Sequence, residues 1–427
     1  MELWLKNIGR IDEAHIEIKG ITVIAGANNT GKSTVSRALY SVFNGFHNIR
    51  EQIRRERMYG IKRALNVMLR NVTEYIYDVD TNKMAKKIYS SKSELLEKSN
   101  DAIMEYIKQL VGEESEIDES AFDEHVNDVR ELTSRIRSYL EVTDEQIFTN
   151  LMSRILSVEF SGQINNIYSE TVGEITISIR KQTATIGIED DKVDFISNFK
   201  LSIGTEAIYL DNPFVLDEQN MGVLHYYYGG RGAEYEDHKE RLKERLFYEK
   251  AKNGVLEEII TNSKLESVYQ QLAAICNGEL VTEKRSIRFK KKDSEKTLDL
   301  RNLSAGLKTF VIIKMLLEKG AIEQNGTIIL DEPEIHLHPE WQLVFAEIIV
   351  LLQKEFGLHI LLNTHSPYFL NAIEVYAAKH GIQSVCCYYL MIDDGEKTKV
   401  ENVTDKIDVI YQKLAHPLQQ LENESYD

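Results

Sequence analysis

An apolar run, Ile21-Thr22-Val23-Ile24, leads into Gly26-Ala27-Asn28-Asn29-Thr30-Gly31-Lys32-Ser33, and a helical pattern from Thr34 to Tyr40 follows at once. A strand therefore feeds a loop of G-x-x-x-x-G-K-S spacing that opens directly onto a helix. Such a loop points its backbone N–H groups into one space at the positive end of the helix, where an anion is favoured. Gly26 and Gly31 permit the tight turn and a close approach to phosphate oxygens. Lys32 can reach the β- and γ-phosphates of a triphosphate, and the Ser33 hydroxyl can take a Mg²⁺ position. With Ala27, Asn28, Asn29, Thr30 and Thr34 these residues form the expected nucleotide-binding set.

Two further segments supply what a phosphate loop alone lacks. Thr327-Ile328-Ile329-Leu330 reads as a buried strand ending in Asp331-Glu332-Pro333. An aspartate in that place can hold Mg²⁺, directly or through water, and the adjacent Glu332 can polarise a water for attack on the γ-phosphate. His359-Ile360-Leu361-Leu362-Asn363 is the next buried strand, and His365 at its tip can donate to the γ-phosphate. Leu303-Ser304-Ala305-Gly306 opens an apolar helix and makes a second anion site at a helix N-terminus. One phosphate loop already binds the triphosphate, so this second site has no use within one subunit.

The order Gly26–Ser33, Leu303–Gly306, Ile328–Glu332 and His365 resembles the ATP-binding cassette ATPases. In that family the Leu-Ser-x-Gly signature of one subunit caps ATP held by the other. Here Ser304 lies so far beyond Ser33 that a large insertion must separate the halves, as in SMC, RecF and OLD-type heads rather than transporter subunits. The segments from Asp331 to Pro339 and from Asn363 to Pro367 resemble stand-alone AAA-family heads of bacterial phage-defence and toxin operons, such as the Septu ATPases. The resemblance implies an α/β P-loop ATPase head with a mixed, mainly parallel core sheet, an antiparallel β-subdomain and a large inserted helical lobe. It implies ATP and Mg²⁺ as cofactors, Glu332 and His365 as catalytic residues, and Ser33 and Asp331 at the metal. It also implies a head-to-tail homodimer, or a higher oligomer, controlling an effector encoded nearby, a nuclease or toxin. The alternative is an SMC- or RecF-like DNA-repair or clamp ATPase acting directly on nucleic acid.

Other readings stay in view. A transporter subunit would need a short helical domain between Ser33 and Ser304. An OLD-type nuclease would add a Toprim domain, for which the stretch after His365 is expected to be too short, and a pure structural clamp would not turn over ATP. Departures from the pattern are Ala305 and Leu307, where transporters carry glycine and glutamine, and the lack of a clear glutamine loop, for which Gln219 is the candidate. Glu334, His336 and His338 could imitate a metal site, although this segment is expected at the dimer interface.

Around these motifs the chain divides into an N-terminal head segment over 1–44 and a helical lobe over 45–160, marked by apolar residues at i, i+3, i+4 spacing. A β-subdomain is expected over 161–230, a helical segment over 231–280 and the C-terminal head over 281–427. Thr143-Asp144-Glu145-Gln146 reads as a capping box starting a helix, and Arg288 to Leu300 as a β-ribbon. Breaks are expected near Asp78–Asn82 and Gly112–Ser115, and a flexible loop at Gly229–Gly232. No apolar run reaches the ~18 residues of a membrane span. The N-terminus lacks a signal-peptide layout, and the three cysteines show no ligand spacing, so a reducing cytoplasm is expected. A net charge of −17 opposes general nucleic-acid binding. Two basic clusters, one from Arg50 to Arg70 and one from Lys284 to Lys292, stand against it and read first as solvated faces.

Overall fold

The phosphate-loop strand lies inside a sheet, with every one of its residues buried, because its apolar side chains must be covered on both faces. This strand, β3 (Ile21–Ala25), runs parallel to β12 (His359–Thr364) on one side and to β13 (Cys386–Asp393) on the other. Beyond β12 follow β11 (Thr327–Asp331) and β7 (Ala207–Leu210), both parallel. The computed structural model describes residues 1–72, 79–114, 122, 124–169, 171–219, 236–248, 265–283, 286–393, 395 and 397–416.

Register does the positioning. Thr364 pairs with Ala25, Asn363 with Asp331 and Leu330 with Leu210, so the parallel strands stop at one level. Loops leaving the carboxyl ends of neighbouring parallel strands then share one edge, where α/β sheets place their ligands.

The other half of the same sheet is antiparallel. β1 (Glu2–Ile8) and β2 (Ile11–Glu17) form a hairpin around Gly9-Arg10, and β4 (Gly173–Ile179), β5 (Gln182–Glu189) and β6 (Lys192–Ile196) extend it outward. The join is β14 (Thr398–Asn402), antiparallel to β13 and parallel to β2. The result is one 11-stranded mixed sheet rather than two sheets. The Arg288–Leu300 ribbon becomes β9 (Ser286–Lys291) and β10 (Thr297–Asp299), completed by β8 (Gly278–Glu283) as a separate three-stranded sheet.

Helices cover the parallel half of the sheet. α1 (Lys32–Phe46) leaves the phosphate loop. After the short α8 (His238–Lys243) and α9 (Glu266–Ile275), α10 (Ala305–Glu318) begins at the signature. α11 (Pro339–Phe356) and α12 (Pro367–Lys379) start with N1 prolines and end where Gly357 and Gly381 turn left-handed. Phe310, Phe345 and Phe369 interlock in the core beneath them.

The chain forms two compact units, residues 1–47 with 152–427, and residues 48–151. The second is helical: α2 (Ile49–Val72), α3 (Thr81–Ser90), α4 (Lys92–Leu96), α5 (Asn100–Glu114) and α6 (Val126–Glu141), around Ile61, Leu65, Met84, Ile107 and Ile136. α7 (Asp144–Glu159) carries the chain from this unit into the sheet-bearing one, and no sequence break marks the boundary because the helix is continuous across it. The capping box forms: Gln146 N donates to Thr143 Oγ1 at 3.1 Å and Thr143 N to Gln146 Oε1 at 3.0 Å. The chain is helical through Gly112 to Glu114. The Gly229–Gly232 loop, the Asp78 and Ser115 ends of the two breaks, and residues 249–264 of the helical segment lie outside the described residues.

Arg57 ties the helical unit together. It is buried, donating to the carbonyls of Tyr139 at 2.5 Å and Leu140 at 3.1 Å and to Asp144 at 2.7 Å. Arg57→Ala strands two carbonyls and is expected to cost roughly 2–4 kcal/mol. Hydrogen exchange at residues 139–145 should quicken accordingly, and unchanged protection there would show that water serves those carbonyls instead.

Candidate functional site

The site grows from the carboxyl edge of β3, β11 and β12. Asn29 and Gly31 adopt left-handed conformations, φ 62° and 91°, the alternation that turns successive N–H groups into a concave anion nest. Gly31 is the N-cap of α1, no side chain caps this helix, and its first turn holds no acidic residue. These donors thus suit an exogenous anion. Lys32 is 4% exposed, and its ammonium donates to the carbonyls of Gly26 at 3.1 Å and Ala27 at 2.9 Å. Thr30 Oγ1 closes the loop on Ala27 O at 2.9 Å. A Cβ on Gly26 would stand 2.7 Å from Met391 Cβ, so only glycine fits where the loop leaves the sheet.

Glu332 faces this lysine. Its backbone is left-handed, φ 49°, a cost borne by a non-glycine residue that swings the carboxylate back over the loop. Glu332 Oε1 lies 3.3 Å from Lys32 Nζ and 3.4 Å from His365 Nδ1. Residues from three separate stretches of chain thereby meet within ion-pair distance.

Asp331 is 8% exposed and held from two sides: Tyr209 OH donates to Oδ2 at 2.9 Å and Asn363 Nδ2 to Oδ1 at 2.8 Å. Asn363 also bonds Ser36 of α1, at 2.8 Å. Ser33 is exposed on the cavity beside the loop. Among the described residues no group of three or more His, Cys, Asp and Glu side chains is placed to hold a metal ion by itself. That suits Mg²⁺, which shares its shell among one or two protein oxygens, phosphates and water.

The cavity, about 440 Å³, is lined by Gly9, Arg10, Asn28 to Thr34 and Glu332, and across from them by Gln163, Asn165 and Ile167. Its volume suits a nucleotide. Arg10, Tyr209 and Asn363 were not read as site residues. Arg10 lies at the β1–β2 turn, and neither it nor Tyr209 lies in a motif of its own.

The signature lies elsewhere in the same unit. Ser304 is exposed and N-caps α10, its Oγ accepting from Leu307 N at 3.4 Å. Ser304, Ala305 and Gly306 are not among the residues lining the cavity at Lys32. Gly306 is pressed on the segment after Glu332, where an added Cβ would meet His336 O at 2.9 Å. Lys308, buried one turn on, bonds Asp217 at 2.5 Å and lies over the Phe214 ring.

The imitation of a metal site does not assemble. Glu334, 2% exposed, turns inward to accept from Thr364 Oγ1 at 2.5 Å and from His365 N at 3.3 Å, and burial raises its carboxyl above the usual range. His336 packs edge-on to Phe214, and His338 Nδ1 accepts from Glu340 N at the start of α11. Gln219 spends its amide on the backbone of Ile287, donating to its O at 3.2 Å and accepting from its N at 3.0 Å. Several basic residues are likewise engaged: Arg54 and Arg55 pair with Glu51, Arg288 with Glu283 and Asp299, and Lys290 with Glu279. Lys284 and Arg285 lie outside the described residues.

A phosphate loop, a strand-end Asp-Glu pair and a histidine on the neighbouring strand, all on one mixed sheet, define a P-loop ATPase head. The model of the AAA ATPase domain family matches residues 1–370, and the chain belongs to that family. It is an ATPase. An OLD nuclease from Thermus scotoductus is 29% identical over 85 residues, 20% of this chain, and the match spans only 16% of that relative. The SMC head domain from Thermotoga maritima aligns over 94% of this chain and 98% of its own, at 12% identity and a TM-score of 0.38. The Smc head of Pyrococcus furiosus, solved with an extended coiled coil and bound to the C-terminal domain of ScpA, aligns over 96% and 98%, at 11% identity and a TM-score of 0.41.

Proposed function

We propose that two copies of this chain pair head to tail around two Mg·ATP and use the ATP cycle to control a partner effector, a nuclease or toxin, in bacterial anti-phage defence. The observation that carries the ATPase part is the meeting of Lys32, Glu332 and His365 around one carboxylate oxygen. In this reading the nest and Lys32 would hold the triphosphate, and Ser33 and Asp331 would hold Mg²⁺, which would supply positive charge against that developing on the phosphate. Glu332 polarises the attacking water, and His365 donates to the γ-phosphate. Pairing of copies follows from the signature, whose Ser304 and Gly306 suit a γ-phosphate yet are absent from the cavity at Lys32.

Control of an effector rests on the sequence resemblance to defence ATPases and on the short match to an OLD nuclease. A cytoplasmic place belongs to the same reading. Among the described residues no helix is long and apolar enough to cross a membrane. Direct action on nucleic acid is the competing reading, and the ion pairs of the basic clusters speak against it.

Lys32→Ala tests the phosphate loop. The triphosphate loses the cation set inside the phosphate loop, and binding of a fluorescent ATP analogue should fall by at least a hundredfold. Parental affinity in the folded variant would overturn the assignment. Turnover with and without duplex DNA separates the two functional readings. A rate raised many-fold by DNA would favour the clamp, and an unchanged rate the effector.

A further inference from the structure

Behind Asp331 lies a buried charged cluster that phosphate chemistry does not use. Tyr209, on β7 at the edge of the sheet, sends its hydroxyl forward to Asp331 Oδ2 at 2.9 Å. The His238 ring lies against the Tyr209 ring, centroids 4.1 Å apart and planes 23° from parallel, and Tyr40 closes the other side. His238 is itself held at both nitrogens. Nδ1 bonds Glu159 Oε1 at 2.6 Å, its backbone N donates to Glu159 Oε2 at 3.2 Å, and Asp211 Oδ2 stands 3.1 Å from Nε2 in an ionic contact off the donor line. Lys239 joins Asp211 at 3.4 Å. Glu159 is the last residue of α7, and Asp211 follows β7 directly.

We propose that Tyr209 is a positioning residue for the metal-binding Asp331, set in turn by His238, which two carboxylates hold against its ring. The inference rests on the reading of Asp331 as a Mg²⁺ ligand. Burial opposes charge on His238, but Asp211 and Glu159 outweigh it and raise the imidazole to about 9, so it is an imidazolium at neutral pH. The Tyr209 hydroxyl, buried between β7 and α1, donates to the Asp331 carboxylate. A cation stacked on a phenol ring draws density from it and strengthens its O–H as a donor. With the Asn363 amide on Oδ1, the Tyr209 bond fixes both carboxylate oxygens before a metal arrives.

Stability alone accounts poorly for the cluster. Buried ion pairs are often replaceable by apolar groups at no loss, and a phenylalanine would fill the place of Tyr209 in this core. What Phe lacks is the donor to Asp331.

The test is Tyr209→Phe, which keeps the ring, and His238→Gln, which removes the cation, both checked for folding by melting. Mg²⁺ half-saturation of turnover and ATP affinity in EDTA are measured for each. Tyr209→Phe should raise the half-saturating Mg²⁺ about tenfold while leaving the EDTA affinity within about twofold. His238→Gln should shift the Mg²⁺ value the same way, about threefold, again with the EDTA affinity kept. Parental Mg²⁺ dependence in both variants would overturn the proposal, as would equal losses in Mg²⁺ and EDTA measurements, which mark a packing role. Asp331→Ala runs beside them. Full Mg²⁺-dependent turnover in that variant would remove the metal assignment itself, a failure distinct from the other two.

Discussion

Glu332→Gln is expected to bind ATP at least as tightly as the parent chain and to hydrolyse it about 10²–10⁴-fold more slowly. The amide is isosteric, so the left-handed backbone at φ 49° and the contact with His365 persist. What disappears is the negative charge that, in the proposed mechanism, polarises a water. The same charge sits 3.3 Å from Lys32 Nζ and competes with phosphate for that ammonium, so its removal favours binding. Single-turnover hydrolysis and equilibrium binding, measured on one preparation, separate the two effects. Hydrolysis at the parental rate would move the catalytic base to another residue. Loss of binding would instead assign Glu332 to nucleotide affinity.

Ser304→Arg is expected to leave ATP affinity of a single subunit within about threefold, yet to block ATP-dependent pairing and turnover. Ser304 is exposed at the start of α10, so the larger side chain meets solvent within its own chain and costs little beyond the lost N-cap, about 1 kcal/mol. Across a two-fold interface the arginine would stand where the γ-phosphate of the partner belongs. Mixing sharpens the test. A Lys32→Ala subunit paired with a Ser304→Arg subunit gathers both lesions in one composite site and leaves the other intact, so turnover should return. The measurement is ATPase rate across mixing ratios, each parent being inactive alone. An active, strictly monomeric Ser304→Arg chain would end the model of sites shared between subunits.

The chemistry-bearing parts of this protein were legible because they are local. The loop from Gly26 to Ser33 needs its glycines and lysine at fixed offsets, and the strands ending at Asp331 and Thr364 are short apolar runs with turn residues beyond them. Caps at Ser366 and Thr143 follow from side chains that bond their own backbone within three residues. Long-range pairing is of another kind. That Asn363 joins Asp331 to Ser36, or that Arg10 of the β1–β2 turn reaches the phosphate-loop cavity, depends on which strands lie side by side. Period-2 alternation tells which face a residue occupies and never which neighbour it meets. The antiparallel strands read as a subdomain because nothing in them announces that β14 pairs with β2 and carries the sheet from the parallel half to the hairpin. Tyr209, Glu159 and His238 are scattered singly along the chain, and only the packing of β7 against α1 and the end of α7 brings them to one aspartate. Sequence by itself determined the nucleotide chemistry, because bonds to phosphate require particular groups at particular spacing. The tertiary structure decided what surrounds and aims them, because burial selects partners by distance in space rather than along the chain.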